Sequence, residues 1–271
     1  MGKIVSAAAM SHTFGVPDAD PDASARVAAG MLEIGRRVRK ENPNILLVIS
    51  SDHLTNFNLD FQIPFALGTA DDFIPLGDLG ASRVKYPGNR DFSTELLQYA
   101  ADNGFDLVGV ENVNPDHGIS VPNEMINQDA DIALVPLYIN TVMHPTPTCA
   151  RSFELGKVIR NFISTRPADE RVAIIATGGL SHWICLPESG RVNELWDEEI
   201  MSLIESGRGK EIVNWTPGRI LIEGGNGGLE IATWACMAGA LDGSTGERIF
   251  YEPMHSWWTG MGGLVMNTKS N

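Results

Sequence analysis

Residues 44–50 read NILLVIS. Between Asn44 and Ser50 stand Ile45, Leu46, Leu47, Val48 and Ile49, with no polar residue at either alternating position. A strand with one wet face would alternate apolar and polar side chains, so this run predicts a strand covered on both faces, as in a parallel sheet flanked by helices. Runs of the same kind recur at KIVSAAAM (3–10), FDLVGVE (105–111), IALVPLYIN (132–140) and RVAIIAT (171–177). A weaker one, FQIPFAL (61–67), carries Pro64, which cannot donate to a ladder and so favours a sheet edge.

Helical patterns fill the gaps. PDASARVAAGMLEIGRRVRKENP starts acidic and ends basic, as the helix dipole prefers. STELLQYAADNG closes on a glycine, and CARSFELGKVIRNFIST, NELWDEEIMSLIES and LEIATWACMAGAL follow. Strands alternating with helices predict an α/β three-layer sandwich with a mostly parallel, mixed central sheet. The tail RIFYEPMHSWWTGMGGLVM reads as extended chain returning to that sheet. No linker or repeat interrupts the 271 residues, which predicts a single domain over 1–271.

Thirty-four Asp and Glu against 20 Lys and Arg give a formal charge of −14. That balance argues against a nucleic-acid backbone or an anionic membrane surface as partner. No apolar stretch is long enough to span a bilayer, and the N-terminal run is too short for a signal peptide. Cys149, Cys185 and Cys236 are sparse and unpaired in spacing, which predicts reduced thiols and a cytoplasmic protein.

His12, His53, His117, His144 and His182 each follow a predicted strand, five of the six histidines in the chain. In an open parallel sheet the carboxyl ends of the strands share one edge, where ligand sites form. A single such histidine reads as an ordinary loop residue; the repetition points to a shared site. Neutral imidazole binds transition metals and carries protons near pH 7. Five exceed what one catalytic metal needs, so the expectation is two ligands, one or two acid–base groups and the rest structural. A carboxylate should complete the ligand set. Glu230, in EGGNGGLEIATW, is best placed, because a glycine-rich turn admits close backbone and a helix start favours an ionised carboxylate. Glu223 is its competitor. The GGNGG turn lacks the Lys-Ser/Thr ending of a phosphate-binding loop.

SHTFG, SSDHLTNFNLD, NPDHGISVP, ATGGLSHW and GNGGLEIATWACMAGAL, in this order, resemble the class III extradiol ring-cleavage dioxygenases, with the catalytic β subunits of the protocatechuate 4,5-dioxygenase kind the nearest likeness. The resemblance runs from His12 to the C-terminal FYEPMHSWWTGMGG. It implies Fe(II) held by His12, His53 and Glu230, with His182 and His117 as the acid–base histidines. It also implies a small aromatic substrate of catechol, aminophenol or dihydroxypyridine type, and O2. Ser256 is the counterpart of a substrate-contacting serine, although MHSWW departs from the pattern around it. His144 has no counterpart. Some relatives use a small helical partner as a lid, so a lid subunit or a homo-oligomer is expected over the site.

Two histidines and a carboxylate with open positions suit non-haem iron and dioxygen. The same trio with a metal-bound water would suit a zinc hydrolase, and a non-catalytic subunit could keep the fold. Asp52 and Asp116 each precede a site histidine, but neighbouring side chains in extended chain point apart, so each is expected to serve some other group. Trp183, Trp257, Trp258, Phe57 and Phe14 are candidate pocket walls; Trp183 reads equally well as a core residue.

Overall fold

The structure is a computed structural model and describes residues 1–13, 15 and 19–268. Phe14 lies outside the described residues. The strands are β1 (Lys3–Met10), β2 (Ile45–Ser50), β3 (Phe65–Gly68), β4 (Asp72–Phe73), β5 (Tyr86–Pro87), β6 (Val108–Val110), β7 (Ala133–Ile139), β8 (Arg171–Thr177), β9 (Gly246–Met254) and β10 (Thr259–Met266). The helices are α1 (Pro21–Lys40), α2 (Arg90–Asp102), α3 (His117–Ile126), α4 (Cys149–Thr165), α5 (Glu194–Glu205), α6 (Pro217–Glu223) and α7 (Ile231–Leu241).

Eight strands form one mixed sheet in the order β6-β3-β7-β2-β8-β1-β10-β9, and β4 and β5 pair apart from it. The centre, β7-β2-β8-β1, is parallel throughout. Ile45, Leu47 and Ile49 point into one apolar layer with α2, α4, α5 and α7, and Leu46 and Val48 into the other with α1 and α3. The unbroken apolar run of β2 is thus split by the pleat between two cores, which makes a three-layer sandwich.

Both flanks reverse direction. β3 runs antiparallel to β7, and β10 antiparallel to β1, with β9 turning back beside it. Pro64 does not mark an edge: the strand begins after it, at Phe65, and β6 lies outside β3. The run at 105–111 shortens to Val108–Val110, with Val108 exposed, because it is the outermost strand and only its inner side has a partner.

Helix ends follow local chemistry. Asp20 accepts from the amide of Ala23 at the start of α1, where Pro21 supplies a fixed φ, and Arg37, Arg39 and Lys40 close the helix. Asn89 caps α2, its side chain accepting from the Phe92 amide. α7 is buried on every side and packs backbone to backbone on α4, where a Cβ on Gly156 would come within 1.9 Å of the Cys236 carbonyl oxygen. Among the described residues, no helix is long and apolar enough to cross a membrane.

Candidate active site

His12, His53 and His182 stand just beyond β1, β2 and β8, on the edge that the parallel strands share. His117 arrives differently. β6 points the opposite way from the parallel centre, so its carboxyl end heads toward the far edge. The chain crosses back over 111–116 and delivers His117 as the first residue of α3. The expected position is reached by a helix start, not by a strand end.

Every ring has one nitrogen tied down, which fixes what the other offers. The Thr177 hydroxyl donates to the Gly118 carbonyl at 2.7 Å, so toward His12 it can only accept. His12 therefore carries its proton on Nδ1, 3.3 Å from Thr177 Oγ1, and Nε2 is left bare. Asp116 Oδ2 accepts from the backbone amide of His53 at 2.8 Å and from its Nδ1 at 3.0 Å. As the preceding carboxylate, Asp116 thus serves His53 rather than its neighbour His117, and its Oδ1 caps α3 at Gly118. Asp52 contacts no histidine ring; it gathers the amides of Thr55, Asn56 and Phe57 and shapes the loop after His53.

Glu230 closes a short 3₁₀ turn, Gly227–Glu230, at the start of α7. Its Oε1 lies 3.0 Å from His53 Nε2 and 3.6 Å from His12 Nε2. Its Oε2 accepts from the Gly179 amide at 2.7 Å and stands 4.0 Å from His182 Nε2. Gly178, at φ +108, lies so close that a Cβ there would sit 2.7 Å from Glu230 Oε2. Thr233 and Trp234 on α7 donate to the Thr177 and Gly178 carbonyls, which latches that helix to the end of β8.

The GGNGG turn cradles a histidine, not a phosphate. The His182 amide donates to the Gly224 carbonyl and the Gly227 amide to the His182 carbonyl. A Cβ on Gly227 would fall 1.9 Å from His182 Nε2. The ring's Nδ1 donates to the Leu180 carbonyl at 3.0 Å, leaving Nε2 as an acceptor directed at the site. His117 Nδ1 faces Asp78 Oδ2 at 2.5 Å.

Three bare acceptors, two imidazole nitrogens and a carboxylate oxygen, cannot stably face one another without a cation or a proton between them. Burial pushes His12 down to about 3, outweighing Glu230. Burial also disfavours charge on His53, yet its bonds to Asp116 and Glu230 push that ring up to about 10. Burial works the other way on the carboxylates, and the facing histidines prevail: Asp116 falls to about 2 and Glu230 lies well below the usual carboxylate range. A proton satisfies this arrangement when no metal is bound; a divalent ion would take its place, and the donor set fits one. Ring nitrogens of His12, His53 and His117 also all lie within 4.8 Å of one another. Two trios are therefore possible, sharing His12 and His53 and differing in Glu230 or His117. Of the two, Glu230 brings the negative charge and lies 3.0 Å from the His53 ring and 3.6 Å from the His12 ring.

The other candidates separate. Glu223 pairs with Arg219 at 2.8 Å on α6, outside the cluster. His144 is exposed and stands apart from the cluster. Trp183 is buried beneath the Arg191 guanidinium, 4.6 Å from its ring centre, and so closes the core beside the site. Ser256 and Trp258 are exposed on the turn between β9 and β10, at the same sheet edge. Trp257 lies against Gly15, shortly after His12. Phe57 meets Tyr138 edge-on at 5.4 Å in a hollow between the loops after β2 and β7.

The family comparison decides the class. Residues 6–262 match the family model described as the catalytic LigB subunit of aromatic ring-opening dioxygenase. The chain belongs to this family. A Photorhabdus laumondii protein named 2,3-dihydroxyphenylpropionate/2,3-dihydroxicinnamic acid 1,2-dioxygenase is 26% identical, with 93% of each chain covered. A Klebsiella pneumoniae protein of the same name is 25% identical over 96% of this chain and 98% of its own. The crystal structure of an uncharacterized Escherichia coli K12 protein superposes with a TM-score of 0.63 at 15% identity, covering 97% of this chain and all of that one, a likeness of fold.

Sequence reasoning missed two carboxylates that hold this cluster's surroundings in place. Asp78 comes from a loop with no motif around it. Asp197, on α5, is buried and accepts from the Ser181 amide at 2.8 Å and the Tyr251 hydroxyl at 2.9 Å, bracing the turn that carries His182. In the sequence it reads as one of several acidic residues at a helix start. Burial pushes Asp197 up to about 7 from 3.8, so between those values the native state holds a proton that the unfolded chain has released. This group's contribution to stability falls as pH rises through that window. Asp197→Asn, which keeps the acceptor for the Ser181 amide and can donate its NH2 to the Tyr251 oxygen, is expected to flatten that fall. Thermal midpoints of both proteins from pH 4 to pH 8 check it; parallel curves would refute the buried proton.

Proposed function

We propose that this chain is an Fe(II)-dependent extradiol dioxygenase that opens the ring of a catechol-type substrate with O2, acting as one catalytic domain over residues 1–271. The observation that carries the reading is Glu230 Oε1 set 3.0 Å from His53 Nε2 and 3.6 Å from His12 Nε2, with His117 and His182 beside them. Ferrous iron, held by His12, His53 and Glu230, would supply redox contact between a chelated diol and dioxygen. His182 Nε2, kept free of a proton by the Leu180 carbonyl on the other nitrogen, takes the proton that a substrate hydroxyl loses. His117, across the cleft, steadies the substrate or returns a proton as the ring opens.

The hollow holding Phe57 is lined also by Asp52, Leu54, Phe61, Ile63, Tyr138 and Asn140, and among the described residues no lysine or arginine lines it. It suits the uncharged part of an aromatic substrate, and Ser256, on the turn across the edge, is the proposed polar contact. Leu54, Leu59, Phe61 and Val142 are exposed on the loops around it, which supports a lid subunit or a second copy covering the site. The three cysteines are free, which supports a reducing, cytoplasmic setting.

The test is anaerobic loading with Fe(II), then oxygen uptake over a panel of catechols, aminophenols and dihydroxypyridines. The expected result is uptake with a yellow ring-opened product from at least one of them. Hydrolysis by the zinc-loaded protein, with no oxygen uptake from the iron-loaded one, would make it a hydrolase instead. Failure to bind any metal would point to a non-catalytic subunit.

A further inference from the structure

We propose that Asp78 is a positioning residue that holds His117 in the tautomer whose Nε2 faces the cleft. His117 Nδ1 and Asp78 Oδ2 are 2.5 Å apart, a charge-assisted hydrogen-bond distance. Among the described residues, no other carboxylate does this for His117. Its neighbour Asp116 is committed to His53 through Oδ2 and to the cap of α3 through Oδ1. Asp78 instead arrives from the excursion between β4 and β5, in a turn spanning Asp78–Gly80. That excursion is pinned beside the start of α3, because the Leu76 amide donates to the Pro115 carbonyl at 2.8 Å.

The His117 ring lies 4.2 Å from the His53 ring and 5.3 Å from that of His12, centre to centre. With Nδ1 engaged by Asp78, Nε2 is the nitrogen left for substrate or a proton. A neutral histidine free of partners populates both tautomers, and in the other one a proton would sit on the nitrogen that faces the cleft. His182 is held differently, by the peptide carbonyl of Leu180 in its own turn. The two cleft histidines are thus oriented by unlike partners, one of them a carboxylate from a remote loop. Asp78 Oδ1 is buried and finds no partner among the described residues, so the carboxylate gives its bonding to His117 alone.

The kinetic consequence rests on the ring-opening reading; the tautomer does not, and it is tested without turnover. Two-bond proton–nitrogen correlation spectra of the metal-free protein, with 15N-labelled histidine at pH 9, report which ring nitrogen carries the proton. His117→Gln identifies the His117 signal. Wild type should show His117 protonated at Nδ1 and bare at Nε2; Asp78→Ala should show both tautomers, and Asp78→Asn, which keeps an acceptor oxygen, should restore the first. A bare Nδ1 in folded wild type overturns the proposal, whatever becomes of the variants. In the iron-loaded enzyme, Asp78→Ala should lower kcat about 10- to 100-fold with KM and iron content little changed. In a His117→Gln background it should have no further effect. An equal loss in both backgrounds would make Asp78 merely structural and overturn the proposal. If no panel substrate is opened while the spectra behave as stated, the ring-opening reading fails and the role of Asp78 stands.

Discussion

Glu230→Ala is expected to strip the metal from the protein. Two imidazoles remain in that variant, His12 and His53, but the negative charge that balances a divalent ion is gone. Glu230 is buried, and its Oε1 is the atom that both imidazoles face. Losing an outer hydrogen bond to a metal ligand typically weakens binding about 10- to 100-fold. Losing the charged ligand itself should exceed that range. His12→Ala and His53→Ala should behave alike. The measurement is iron per chain after anaerobic loading and desalting, with circular dichroism to show that the fold persists. The competing trio gives a clear alternative: if Glu230→Ala retains iron and His117→Ala loses it, the third ligand is His117.

His182→Ala is expected to keep its iron and lose turnover. A general base contributes about 100- to 10,000-fold, and on the proposed reading this ring is that base, anchored at Nδ1 with Nε2 turned toward Glu230. Its amide and carbonyl are held by Gly224 and Gly227, so removing the imidazole leaves the turn in place. The loss should fall on kcat more than on KM. A decrease smaller than about tenfold in single-turnover ring opening would remove His182 from proton transfer, and loss of iron in this variant would overturn the assignment of ligands.

Much of this arrangement was legible in residue order. The unbroken apolar runs at β2, β7 and β8 called for strands covered on both faces, and the histidines after them called for a site at one edge. The expectation for His117 reached the right place by the wrong route. Periodicity identifies a strand but not its direction, and β6 turned out to be reversed. Pro64 misled for a related reason: an absent donor excludes a residue from a ladder but does not say which strand lies outermost. Asp116 and Asp52 each bond to a group other than the histidine that follows them in the chain, as side chains that point apart along extended backbone should.

Residue order was enough for what depends on near neighbours along the chain: which segments are strands or helices, where a glycine turn lets a histidine or a carboxylate come close, and which residue types can hold a metal. Folding in three dimensions settled the rest, namely that Thr177 sets the tautomer of His12, that Asp116 backs His53, and that Asp78 and Asp197 brace His117 and the turn of His182. These pairs lie from 16 to 165 positions apart. Hydrogen bonds act over about 3 Å of space regardless of separation along the chain, so no local pattern records them.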